Sequence, residues 1–292
     1  MPTPSHTPLS APFSAPSSAP IDLGAYLARI GWRGPAAARL APDLNTLHAL
    51  VDAHMRAVPF ENLDVLLGRP IRLDLPSLQA KLVQARRGGY CFEHSTWMAA
   101  VLEALGYAPQ RKLARVTLMG PRATAARTHM FLLVPLDGAQ WVVDVGFGAL
   151  APQVPLRLQP AGEADAATSH WLKQDGPYWT LCARHRGEVV EAWTALLEDE
   201  GPADFEMGNH FVATHPGSPF VNRLMLRALT PEGRVSVMNR DVTEVRGDEV
   251  FTRQLASRAD LQALLAQHFG IDEPAVAGLR VPSEPQWAGP AA

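Results

Sequence analysis

The sequence predicts an α+β fold, and two observations carry that reading. Apolar residues recur at helical spacing from Leu23 to Leu105, and from Lys112 onward Val- and Leu-rich runs of β type replace them. The chain therefore reads as helices, then strands, then strands with one closing helix, not as alternating βαβ units.

Taken in order, Asp22 can cap a helix whose apolar face is Leu23, Tyr26, Leu27 and Ile30, with Gly31 to close it. A second helix carries Leu44, Leu47, Val51, Met55 and Val58 on one side and stops at Pro59. A third is expected to be capped at Ser77, to run through Leu78 and Leu82 and to stop at Gly88-Gly89. A fourth starts near Cys91 and ends at Gly106. Strands are predicted at Lys112–Met119, His129–Leu136, Trp141–Val145, Tyr178–Ala183 and Val189–Thr194, with Asp137-Gly138 as a hairpin turn. Arg223–Leu229 and Arg234–Val237 follow around a Pro231-Glu232-Gly233 turn, then a strand near Val242–Val245. A last helix opens at Ser257.

Composition narrows the function classes. The 292 residues carry a formal net charge of −3, so no basic field points to a nucleic acid or a membrane surface. No apolar run approaches the length of a membrane span. Two cysteines, Cys91 and Cys182, are too few for a disulfide framework, and the chain reads as cytoplasmic with reduced thiols. Residues 1–20, rich in Pro, Ser, Ala and Thr, lack the pattern of a secretory signal and read as a disordered tail; residues 282–292 have a similar character.

Cys91 stands after two glycines at an expected helix start. Exposed N–H groups and the positive end of the helix dipole favour a thiolate there, and the glycines would leave a substrate room to approach. The bland alternative is a buried, inert thiol. A nucleophilic cysteine needs a base and a group that orients the base. His129 opens an apolar strand, and Asp144 lies in the next one, where an unpaired carboxylate would be costly. If Asp137-Gly138 is a two-residue turn, Asp144 falls opposite Phe131, and His129 is its diagonal neighbour on the same face, roughly 7–8 Å away. Cys182 sits in a strand with no glycine beside it and reads as structural. His94 follows Cys91 but projects elsewhere on the helix. No C-x-x-C spacing supports a metal site.

At this point the residues resemble a family, the arylamine N-acetyltransferases. The resemblance is carried by Tyr26-Leu27-Ala28-Arg29-Ile30-Gly31-Trp32, Val58-Pro59-Phe60-Glu61-Asn62-Leu63, Arg87-Gly88-Gly89-Tyr90-Cys91-Phe92-Glu93, Asp144-Val145-Gly146-Phe147-Gly148 and His215-Pro216-Gly217-Ser218-Pro219-Phe220. It implies a Cys-His-Asp triad at Cys91, His129 and Asp144. It also implies a helical N-terminal domain (21–107), a central β-barrel domain (108–222) and a C-terminal α/β lid (223–292). The implied reaction is ping-pong: acetyl-CoA acylates Cys91, and an arylamine, hydrazine or arylhydroxylamine takes the acetyl group, with no metal. Phe60, Phe147 and Phe220 are implied as the substrate-binding wall, and Arg87 with Glu61 as a buried ionic pair. The sequence departs from the family pattern at Ser95, where Asn is common, and at Asn209-His210-Phe211.

Two other activities share the Cys-His-Asp order: an amide synthase that releases a polyketide or other acyl chain, and a papain- or transglutaminase-like hydrolase. The Arg-Gly-Gly-x-Cys segment argues against the hydrolase.

Overall fold

The computed structural model describes residues 21–185, 187–284 and 287. The tail read from residues 1–20, and most of the similar segment at 282–292, lie outside the described residues.

The first part is helical. α1 (Leu23–Arg29) is capped by Asp22, which accepts the Ala25 N–H at 2.8 Å, and it closes at Gly31 with φ +64°. α2 (Leu44–Ala57) is capped by Asp43 and ends before Pro59. The chain then forms a two-residue strand, β1 (Phe60–Glu61), and the short helices α3 (Leu63–Leu66) and α4 (Leu75–Leu78). The expected cap at Ser77 is corrected: Asp74 caps α4, and Ser77 donates its N–H to Asp74 at 3.0 Å. Pro76, which has no N–H to lose, sits in the first turn, so the helix starts earlier than its apolar residues suggest. It continues as a wider π turn over 79–84. α5 (Cys91–Ala104) runs through the middle of this core, where Tyr26, Leu47, Leu50, Trp97, Met98 and Leu102 are all buried.

Seven antiparallel strands follow: β2 (Gln110–Val116), β3 (Arg127–Leu136), β4 (Ala139–Val143), β5 (Leu156–Arg157), β6 (His170–Asp175), β7 (Tyr178–His185) and β8 (Glu188–Ala195). Their order, β5-β4-β3-β2-β8-β7-β6, makes a nearly closed barrel filled by residues such as Phe131, Leu133, Val142, Leu181 and Trp193. Asp137 and Gly138 both have positive φ, +51° and +73°, as the tight hairpin turn requires. That turn sets the register Leu136↔Ala139 through Leu132↔Val143. The ladder stops at Val143, so Asp144 is the first residue beyond the strand, still in the predicted register. β6 escaped the sequence reading because its last half, Lys173-Gln174-Asp175, is polar and exposed.

α6 (Pro202–Thr214) and α7 (Pro219–Asn222) cross to the last part. There β9 (Met225–Thr230), β10 (Gly233–Met238), β11 (Asp241–Arg246) and β12 (Glu249–Gln254) form an antiparallel meander packed on α8 (Arg258–Leu264). Its other edge is β1, paired Phe60↔Arg227 and Glu61↔Leu226, so the residues just before α3 complete the sheet. No helix among the described residues is long and apolar enough to cross a membrane.

Buried charges tie these parts together around the loop before α5. Arg87 meets Glu61 at 2.8 Å, Asp64 at 3.2 Å and Glu273 at 2.8 Å, and Lys81 meets Asp64 and Glu93 at 2.7 Å each. The ionic pair expected between Arg87 and Glu61 is thus the centre of a larger network. Glu61 is fully buried, with its other oxygen accepting the Leu63 N–H. Arg87→Met would strand that carboxylate, and is expected to cost about 3–5 kcal/mol of stability in urea unfolding.

Candidate active site

Cys91 is the first residue of α5, where N–H groups have no intrahelical acceptor. The helix start is fixed by Glu93, which reaches back to accept the Tyr90 N–H at 3.1 Å. The two glycines before it serve packing and not substrate approach, which corrects the expectation above. A Cβ at Gly88 would lie 2.0 Å from the Pro59 carbonyl oxygen, and one at Gly89 2.6 Å from the Glu93 carboxylate. Only bare backbone can cross β1 here, in the parallel bridge Phe60↔Gly89.

His94 clamps the same crossing. Its Nε2 lies 3.2 Å from the Pro59 oxygen and 3.1 Å from the Gly89 oxygen, both acceptors only, so Nε2 carries the proton. Nδ1 must then accept from His54 Nε2 at 2.9 Å, and His54 Nδ1 accepts from the Tyr26 hydroxyl at 3.0 Å. Burial holds both rings neutral, with His94 drawn down to about 4. This ring is therefore committed to the loop and not to Cys91, as its predicted direction required.

His129 is brought to Cys91 by an irregularity in the barrel. The β2–β3 register runs Ala114↔His129 and then Arg115↔Arg127, which leaves Thr128 without an opposite partner. The bulge places the Thr128 carbonyl 3.8 Å from Cys91 Sγ. His129 Nε2 donates to Asp144 Oδ2 at 2.8 Å, which leaves Nδ1 for the Cys91 side chain, whose charge the ring feels. The structure thus brings Cys91, His129 and Asp144 into one chain of contacts, all buried.

Two supports escaped the sequence reading. The Trp193 indole N–H donates to the same Asp144 oxygen at 2.9 Å, and the Gly146 N–H reaches Oδ1 at 3.2 Å. Trp193 also stacks on Phe131, with ring centroids 4.5 Å apart. Its only sequence signal is a polar-tipped aromatic in an inward strand position. Gly146 presses on Cys91: a Cβ there would be 2.6 Å from Cys91 Cα. Ser95 fills its departed position by donating to the Met130 carbonyl at 2.8 Å, next to His129.

The three predicted phenylalanines are all half-buried. Phe60 and Phe220 meet edge to face at 6.1 Å and pack with Tyr90 in the cluster that contains Cys91. Phe147 stands edge-on to the His129 ring at 4.7 Å. Cys182 is buried in β7, its thiol pushed up by burial. A surface hollow of about 570 Å³ is lined by α2 and residues 153–154 and by none of these groups.

Burial works to neutralise His129, but the Asp144 carboxylate, and after it Cys91, outweigh burial and push the ring up to about 10. The folded value lies above that of a free histidine. The pair's stabilisation is therefore complete below about pH 6.5 and is lost as pH rises through about 10. Unfolding free energies across that range should fall with pH in the wild type and fall less in Asp144→Asn. Gly146→Ala, with nowhere to put its methyl but the Cys91 backbone, should lower stability by about 1–3 kcal/mol and slow modification of Cys91 by a thiol reagent.

The family model described as N-acetyltransferase matches residues 43–275. The arylamine N-acetyltransferase of Mycolicibacterium smegmatis is 40% identical over 265 residues, covering 88% of this chain and 94% of that protein. An arylamine N-acetyltransferase / N-hydroxyarylamine O-acetyltransferase of Salmonella typhimurium is 37% identical over 254 residues, covering 85% and 88%. The structure of the Mycobacterium marinum arylamine N-acetyltransferase in complex with CoA is similar with a TM-score of 0.79 at 36% identity, over 86% of this chain and 93% of that one. With the Cys91 segment, barrel and closing sheet arranged as described, and with likeness of this extent, the chain belongs to the arylamine N-acetyltransferase family.

Proposed function

We propose that the chain transfers an acetyl group from acetyl-CoA to arylamines, hydrazines and arylhydroxylamines by way of an acetyl-cysteine at Cys91. The observation that carries this reading is the single buried line of contacts from Cys91 through His129 to Asp144. His129 takes the thiol proton, and the Cys91 sulfur attacks the thioester carbonyl. The carbon–sulfur bond to CoA breaks, and the imidazolium returns its proton to the departing CoA sulfur. The amine nitrogen then attacks the acetyl-cysteine, the neutral ring accepts its proton, and the Cys91 sulfur leaves. Asp144, held by Trp193 and Gly146, keeps the ring in the tautomer that faces Cys91 and stabilises its charged form. The unpaired N–H groups at the start of α5 are the candidate donors to the developing oxyanion.

Phe60, Phe147 and Phe220 serve as the apolar wall that receives the acetyl group and the aromatic amine. We divide the chain at 107/108 and 222/223 into helical, barrel and lid domains, the nucleophile on the first and its base on the second. We place the protein in the cytoplasm, with small-molecule substrates and neither a nucleic acid nor a membrane as partner, in keeping with two buried free thiols and a net charge of −3.

Intact-mass measurement after mixing with acetyl-CoA alone tests this reading. One acetyl group is expected on the wild type and none on Cys91→Ser, while Asp144→Asn should acylate about 10⁴-fold more slowly. An unmodified wild-type protein would refute it.

A further inference from the structure

A sheet edge presents unpaired backbone groups, and most edges of this chain are short or covered. β1 and β5 offer two residues each, and the Ala161 N–H bonds the Leu172 carbonyl of β6. β12 differs. It pairs with β11 over six residues without a bulge, and all six of its residues are exposed. The Leu255 N–H bonds the Arg240 carbonyl at 2.8 Å, which sets the alternation along the strand. Residues 249, 251 and 253 turn their backbone groups to β11, whereas Val250, Thr252 and Gln254 turn theirs outward. No strand among the described residues lies on that outer side.

The side chains say which strand fits there. Val250 and Phe251, at mid-strand, are 62% and 47% exposed. Arg246 lies over the Phe251 ring, 5.3 Å from its centroid, yet the ring stays open to solvent. Glu249 and Arg253 stand two residues to either side of Phe251 and share its face of the sheet. They are roughly 13–14 Å apart along the strand, too far to pair with each other. Neither makes an ion pair among the described residues. Arg246, opposite Glu249, turns to Glu244 and Glu232 instead, and Arg253 faces the buried Val242. Proline, a bulge or a run of one charge would blunt such an edge, and β12 has none of these. Its two charges are opposite in sign and symmetric about an aromatic ring, so the strand reversed end for end is its own complement.

We infer that β12 is a self-association edge: two copies of the chain pair their β12 strands antiparallel about a two-fold axis at Phe251, joining two five-stranded sheets into one. In that register the two Phe251 residues form a non-hydrogen-bonded pair, the kind that brings Cα atoms to roughly 4.5 Å. Val250 and Thr252 exchange N–H···O bonds with Thr252 and Val250 of the second copy. Glu249 meets Arg253 of the second copy, and Arg253 meets its Glu249. Moving the axis to Thr252 keeps the backbone bonds but sets Glu249 against Leu255 and forfeits both ion pairs. The contact is one strand wide, so the dimer belongs to the weak, exchanging class. None of this depends on the transferase reading.

Sedimentation velocity of the full chain, from roughly 1 to 300 µM, tests the inference. The sedimentation coefficient of the wild type should rise with concentration toward that of a dimer. Glu249→Arg and Arg253→Glu each set like charges opposite one another at two symmetric points. Each should weaken association about tenfold or more, with circular dichroism unchanged. Mixed in equal amounts, the two variants meet with opposite charges at both points, and association should return to the wild-type level. Thr252→Pro removes an outward N–H and no bond to β11, and should abolish association. A wild type that stays monomeric throughout overturns the inference. Association that the charge reversals leave unchanged places the interface elsewhere and overturns it as well. Variants that do not recover on mixing deny the register, and the inference fails with it.

Discussion

The buried carboxylate of Asp144 is the constraint on which the site depends. A charge removed from water is tolerated only when its lone pairs are met, and here the His129 ring, the Trp193 indole and the Gly146 amide meet them. Each of these comes from a different stretch: β3, β8 and the loop after β4. Closing the barrel and satisfying the carboxylate are therefore one event. The His129 ring is oriented as a result, before any substrate arrives, and the bulge at Thr128 turns it toward Cys91. The preorganisation is electrostatic as well as geometric, because the same carboxylate that orients the ring also favours its charged form.

Cys91 is placed by a second constraint, the crossing of two backbone segments. Residues 59–61 and 88–89 run together without side chains between them, bridged by hydrogen bonds and clamped by the neutral His94. Around that crossing the charges of Arg87 and Lys81 neutralise carboxylates from β1, from α3, from α5 and from Glu273 near the end of the chain. Such a network contributes little net stability over apolar packing, but it penalises any arrangement in which one part is out of place. β1 adds to this by joining the closing sheet to the segment that carries Phe60. Phe60, the sheet and the loop before Cys91 are thus mechanically one unit.

Much of this was legible before any coordinates. The 3.6-residue periodicity and the Asp caps defined α1 and α2, because both act within one or two turns. The Asp137-Gly138 turn determined the β3–β4 register, and with it the shared face of His129 and Asp144. Glu61 and Arg87 were expected to pair. Less was legible where the pattern is polar or the partner is remote. α6 carries Gly208 and Asn209 on its buried side and shows no clean apolar stripe. Ser77 looked like a cap because it precedes the apolar residues, whereas Asp74 holds that place. Gly88 and Gly89 were read as space for a substrate, but they are space for the chain itself.

By itself, then, the sequence determined how the local elements begin and end and which face His129 and Asp144 share, since turn geometry, capping and periodicity are short-range properties. Only the tertiary structure decided what holds those residues in place. The bond from Trp193 spans 49 positions to Asp144, the pairing of Phe60 with Arg227 spans far more, and the pressure of Gly146 on Cys91 arises between separate layers. Contacts of that kind depend on how the barrel closes and how the last sheet docks. They follow from packing and from the need to satisfy buried charge, and no window of sequence contains both partners.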